Sequence, residues 1–131
     1  MLKHKTYSFE SLAVWKEARI LSCDIYSLTK QYPEEEKFGI ISQMRRSCIS
    51  ISSNLAEGTA RVSFLDQARF TEISFGSLME LLNQLILSFD LEYLKEDILS
   101  RLRSMIDNIG YKLNSLRNSQ LVRYRQSRRK K

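Results

Sequence analysis

The sequence predicts an all-α chain built as an antiparallel, up-down-up-down four-helix bundle. Three observations carry this reading. Apolar residues recur at steps of three and four along four separate stretches of the 131 residues. Only four glycines and one proline occur, and no strand-and-hairpin punctuation interrupts the stretches. The connections are short, about three to six residues, which turns neighbouring helices antiparallel.

The first helix is expected from about Ser11 to Thr29. Val14, Ala18, Leu21, Ile25 and Leu28 form its seam, and Leu12 and Trp15 widen it. Gln31-Tyr32-Pro33 ends it, because the residue before proline is pushed out of the helical region. The second helix is expected from about Pro33 to Glu57. Proline suits a first turn, and Glu34, Glu35 and Glu36 suit the positive end of the helix dipole. Ile41, Met44, Cys48, Ile51 and Leu55 share one face. Cys48 to Ser52 alternates like a strand, but it lies inside this longer stripe of helical period. Gly58 follows as a C-cap glycine would.

Ser63 and Asp66 resemble a capping box with a shortened acid, opening a third helix that runs to about Phe89. Ala68, Phe75, Leu78, Leu82, Leu85 and Phe89 form its stripe, with Ile73, Leu81 and Ile86 beside it. It is the most apolar helix and is expected to be the most buried. The fourth helix is expected from about Leu94 to Leu116, on Leu99, Leu102, Ile106, Ile109, Leu113 and Leu116. Beyond Leu116 the apolar frame fails. The chain thus divides into an N-terminal segment (1–10), a bundle (11–116) and a basic extension (117–131), either a frayed helix or a disordered arm.

The residue inventory argues against catalysis. The only histidine is His4, in the N-terminal segment, so a Cys–His pair or a Ser–His–acid triad is not expected. No Gly-rich phosphate loop occurs, and no Glu-x-x-His of the kind used by bundle di-metal sites. No catalytic residue, metal site or cofactor is therefore expected. Cys23 and Cys48 form no CxxC pair, and both fall on expected core faces. No apolar run approaches the ~20 residues of a membrane span, and MLKHKTYSFE lacks the apolar core of a secretory signal. These features point to a cytoplasmic protein with no membrane role.

Charge is concentrated at one end. Residues 117–131 carry Arg117, Arg123, Arg125, Arg128, Arg129, Lys130 and Lys131 and no acid. The rest of the chain holds 14 Lys/Arg against 15 Asp/Glu. A nearly neutral body with a basic arm points to a polyanionic partner, RNA or DNA, and Tyr124 stands between two arginines where it can stack on a base. The plainer alternative is a solubilising arm. Arg45 and Arg46 are adjacent and so point about 100° apart. One is expected to pair with an acid such as Glu57, Asp66 or Glu80, and the other to meet solvent or phosphate. Gln43, Asn54, Glu57, Ser77 and Glu80 are expected to form a polar network that fixes helix register, with close helix approach at Gly76. Trp15, Ile20 and Tyr26 lie outside the first seam, and apolar residues nearly encircle the third helix, which points to self-association.

Several of these segments resemble one family. The run Phe9-Glu10-Ser11-Leu12-Ala13-Val14-Trp15 is similar to an F-x-x-L-x-V-W opening. Glu36-Lys37-Phe38-Gly39, Gln43-Met44-Arg45-Arg46, Ser50 to Gly58 and Gly76 to Leu81 follow in the same order, closing near Tyr93-Leu94. The family is that of small bacterial four-helix bundle proteins first named for the intervening sequence of 23S ribosomal RNA. Two positions depart from it: Ser52 stands where proline is usual, and Ser47 where alanine is usual. The resemblance implies a homopentamer with a central channel, and polar positions that mark the fold rather than an active site. Distant relatives act as accessory factors for reverse transcriptases, which implies an adaptor role. The expected function is thus a non-enzymatic, oligomeric accessory protein that binds RNA or DNA through basic residues with little sequence specificity. The alternative is a scaffold or adaptor that docks an acidic protein partner without touching nucleic acid.

Overall fold

A computed structural model describes residues 3–129. Among these there are four α-helices and no strand: α1 (Ala13–Thr29), α2 (Ile40–Thr59), α3 (Phe64–Asp90) and α4 (Glu96–Arg129). They pack around one core, as the helices of a four-helix bundle do. The apolar stripes of α1, α2 and α4 supply most of it. Val14, Ala18, Leu21 and Ile25 are buried, as are Ile41, Met44, Cys48, Ile51 and Leu55, and Leu102, Ile106, Ile109 and Leu113.

Helix ends differ from expectation, three of them on α1 and α2. Leu12 has an extended backbone (φ −71°, ψ 123°), so α1 starts at Ala13, and Ser8–Ser11 forms a separate 3₁₀ turn. That turn is held down by Phe9, whose ring meets Trp15 edge-on with centroids 5.0 Å apart. The glutamates after Pro33 form only a short 3₁₀ turn, Glu34–Glu36. Gly39 (φ −106°, ψ −118°) breaks the path, and α2 begins at Ile40. Gly58 is not a C-cap. It is buried inside the last turn of α2, which runs on to Thr59.

Gly58 is needed for close approach. A Cβ there would sit 2.9 Å from Phe70 Cβ and 3.6 Å from the Gln67 carbonyl. Phe70 Cβ is anchored to the α3 backbone and cannot swing away. Gly76 is the opposite case. It is exposed, and nothing within the chain lies within 4 Å of a Cβ built on it, so the expected close helix approach does not occur there within the chain. The same substitution should therefore have opposite signs at the two sites. Gly58→Ala is expected to destabilise, because overpacking costs about 1–3 kcal/mol and exceeds the gain of roughly 1 kcal/mol in helix propensity. Gly76→Ala is expected to keep that gain in full. Denaturant midpoints of the two variants check this. Equal shifts of the same sign would defeat the argument.

α3 packs differently from its hydropathy pattern. Ala68, Leu78, Leu81 and Leu85 are buried, but so are Thr71, Ser74, Gln84 and Ser88. Phe75 and Leu82 are half-buried, and Ile73 and Phe89 are exposed. The buried hydroxyls are satisfied locally or across the interface. Ser88 donates to the Gln84 carbonyl at 2.8 Å and Ser74 to the Ile51 carbonyl of α2 at 2.9 Å, while the single Thr71 proton is shared between the Gln67 carbonyl at 3.1 Å and Gln120 Oε1 at 2.7 Å. A hydroxyl bonded in this way is buried at little cost. The cysteines also separate. Cys48 is buried, and burial pushes its thiol up from its ordinary 9.0. Cys23 is exposed, because it lies two residues, and so about 160° around the helix, from the seam positions Leu21 and Ile25 on either side of it.

Candidate nucleic-acid interface

The fourth helix does not stop at Leu116. It continues as one helix to Arg129. Two contacts hold the first part of this extension against α3. Gln120 is buried, and its Oε1 accepts a 2.7 Å hydrogen bond from Thr71 Oγ1. Arg117 is half-buried, with Nη1 3.9 Å from Glu72 Oε1. Past Gln120 the helix surface becomes basic. Arg123, Arg125, Arg128 and Arg129 are exposed, and none has a carboxylate partner among the described residues. Lys130 and Lys131 lie outside the described residues.

The ring of Tyr124 is half-buried beside these arginines. Arg128 Nη1 donates to Tyr124 Oη at 2.9 Å, which fixes the ring and the guanidinium together. A cleft of about 680 Å³ opens between this part of α4 and the α2–α3 connection. Val62, Ser63, Phe64, Tyr124, Ser127 and Arg128 line it. Val62 is 98% exposed on its rim. Arg61, in the same connection, lies 4.6 Å from the centroid of the Phe70 ring.

The other two arginines singled out in the sequence behave differently from each other. Arg45 meets no acid among the described residues. Its Nε donates to Thr29 Oγ1 at 3.0 Å and its Nη2 to the Tyr26 carbonyl at 3.4 Å, and its guanidinium lies 4.5 Å from the Tyr26 ring centroid. It ties α2 to α1. Arg46 is exposed, with no ion pair among the described residues.

Polar residues do cross the α2–α3 seam. Ser50 Oγ and Ser77 Oγ are 2.8 Å apart, and Asn54 Nδ2 donates to the Ser50 carbonyl at 2.8 Å and to Ser50 Oγ at 3.0 Å. Glu80 Oε1 accepts from Ser47 Oγ at 3.0 Å and from Gln84 Nε2 at 3.3 Å. Gln43 contributes only its carbonyl, which accepts from Ser47 Oγ at 2.9 Å, while its side chain is exposed. Glu57 is exposed and outside the network. Ser47, Ser50, Ser74 and Gln84 were not expected in this network. Their spacing opposite Ser77 and Glu80 was the available signal. Among the described residues no group of three or more His, Cys, Asp or Glu could hold a metal ion, and no helix is long and apolar enough to cross a membrane.

These features define a small all-helical protein whose concentrated charge lies on the exposed end of its last helix. The family model described as 23S rRNA-intervening sequence protein matches residues 10–115, and the chain belongs to that family. The chain is also similar to a protein of unknown function from the S23 ribosomal protein family of Bacteroides thetaiotaomicron VPI-5482, solved by crystallography at 1.70 Å. The two are 21% identical with a TM-score of 0.74, over 80% of this chain and 95% of the other. At that identity the likeness speaks for the fold alone. No curated protein matches the chain.

Proposed function

We propose that this protein is a non-enzymatic, cytoplasmic accessory protein that holds RNA or DNA by electrostatics, through the basic end of α4. The observation that carries this is the run of four exposed arginines without carboxylate partners on a helix docked to the body through Gln120. A polyanion would exchange its counterions for these guanidinium groups, so binding would be strongly salt-dependent and nearly indifferent to base sequence. The body would serve as platform. We take it as an antiparallel, up-down-up-down bundle. Support comes from contacts that pair rising with falling numbers, Ser47 with Glu80 and Ser50 with Ser77, and Glu17 with Lys112 and Asp24 with Arg101.

The proposal includes a homopentamer, as the family resemblance implies. Tyr111 is 73% exposed, Ile20 57% and Ile73 49%, and apolar groups left open on one copy are the raw material of an interface. Five arms on one particle would convert weak contacts into avidity. The second reading, a scaffold whose basic arm docks an acidic protein, draws on the same four exposed arginines.

The test is a salt titration of binding to structured RNA and duplex DNA, with native mass spectrometry on the same sample. It compares the full chain with one ending at Leu121, which keeps the Gln120–Thr71 contact. Binding that is steep in salt and lost on shortening, at equal oligomeric mass, is the expected result. No binding by either chain at low salt would sink this reading and leave the scaffold.

A further inference from the structure

We propose that the cleft between the α2–α3 connection and the distal part of α4 holds an unpaired base, so that the protein prefers single-stranded RNA or DNA to duplex. This rests on the nucleic-acid reading above and adds to it the class of strand that is bound.

The lining is unusual for a surface that meets only backbone phosphates. Phosphates need cations, and Arg128 supplies one. The remaining walls include the aromatic rings of Tyr124 and Phe64 and the aliphatic Val62, which is almost entirely open to water. A base offers a flat apolar face to such walls, and stacking on an aromatic side chain tolerates any sequence. The cleft is open to solvent, and its volume of about 680 Å³ falls within the range of small-molecule sites. Serine hydroxyls at positions 63 and 127 supply polar groups for a base edge. Arg128 is bonded to the Tyr124 hydroxyl and its guanidinium lies 5.7 Å from the ring centroid, so a cation stands beside the ring on which a base would stack, within reach of that nucleotide's phosphate. Arg123 and Arg125, the chain neighbours of Tyr124, are exposed and point about 100° to either side of it around the helix, adding positive charge near the cleft without lining it. In a duplex the faces of the bases are occupied by their neighbours, so only the arginines would be used.

The test uses the full-length protein and three probes: a short oligouridylate, an oligothymidylate of the same length, and a blunt duplex of matched phosphate count. Tyr124→Leu removes the ring but keeps apolar bulk and helix propensity. Tyr124→Phe keeps the ring and releases Arg128. The leucine variant should bind the single strands on the order of ten-fold more weakly, the loss of one stacked base. It should hold the duplex as well as the parent does, and the phenylalanine variant, which keeps the ring, should bind the single strands more tightly than the leucine variant. Circular dichroism confirms that helicity is unchanged. If the leucine variant binds every probe like the parent, or loses single strands and duplex equally, the cleft is not a base site, while electrostatic binding by the arm stands. If the parent binds none of the probes at low salt, both readings fall together.

Discussion

Replacing Arg123, Arg125, Arg128 and Arg129 together by glutamine is expected to flatten the salt dependence of nucleic-acid binding and to remove most of the affinity at moderate salt. Each phosphate neutralised contributes about 0.9 to the slope of log K against log salt for duplex DNA. Four contacts per protomer then correspond to a slope shallower by about 3 to 4, and more where several arms engage one duplex. Glutamine is nearly as good a helix former as arginine, so α4 is retained and the loss is one of charge. The comparison variant is Arg45→Gln. Arg45 is engaged with Thr29 and Tyr26 of α1, so that change should lower the unfolding midpoint and leave the slope alone. Fluorescence anisotropy over a series of potassium chloride concentrations reads the slopes. An unchanged slope in the fourfold variant would remove the distal arm as the phosphate contact.

That contrast illustrates what the sequence could and could not disclose. The seams of α1, α2 and α4 were legible, because their buried positions are apolar and periodic. Position 29 already strains the rule. The helical period carries the seam from Ile25 to Thr29, which is 1% exposed, and its hydroxyl donates to the Ile25 carbonyl at 2.8 Å. A hydropathy stripe favoured Leu28 instead. On α3 the same effect is multiplied, since Thr71, Ser74 and Ser88 occupy core positions that pattern reading assigns to solvent. Small hydroxyl residues let α2 and α3 approach closely and satisfy themselves on carbonyls within reach, a property of packing that hydropathy does not contain. The arm was legible as charge but not as structure. Its apolar frame ends at Leu116, yet the helix continues, because Gln120 makes a buried hydrogen bond to a threonine 49 residues earlier. No local pattern encodes that partner. The cleft was equally hidden: Tyr124 was visible as an aromatic among arginines, but Val62 and Phe64 come to it only through the fold.

The two departures from the resembled family lie on α2, and one of them yields a sharp energetic expectation. Ser52→Pro restores the residue usual at that position. In a helix interior proline removes the hydrogen bond to the carbonyl four residues back and crowds it, at a cost of ~3 kcal/mol or more. Here that carbonyl belongs to Cys48, which is fully buried. It has a second donor, Ser22 Oγ of α1, at 3.2 Å. Ser22 also reaches the Ala18 carbonyl at 3.1 Å, and its single proton is shared between the two. With proline at position 52 the proton can commit to Cys48. The Cys48 carbonyl is then not orphaned, and its tilt toward α1 relieves the crowding. Ser52→Pro alone is therefore expected to cost well under the usual figure, about 1 kcal/mol. Ser22→Ala alone should cost a similar amount, since a modest hydrogen bond is lost while Ser52 N–H still serves Cys48. The double variant leaves a buried carbonyl without a donor, which adds about 1–3 kcal/mol beyond the sum of the singles. Urea unfolding of the four chains, read by helicity, measures this coupling. Additive costs would mean that Ser22 does not stand in for the lost backbone donor, and that proline at this position must be tolerated through some other accommodation of α2.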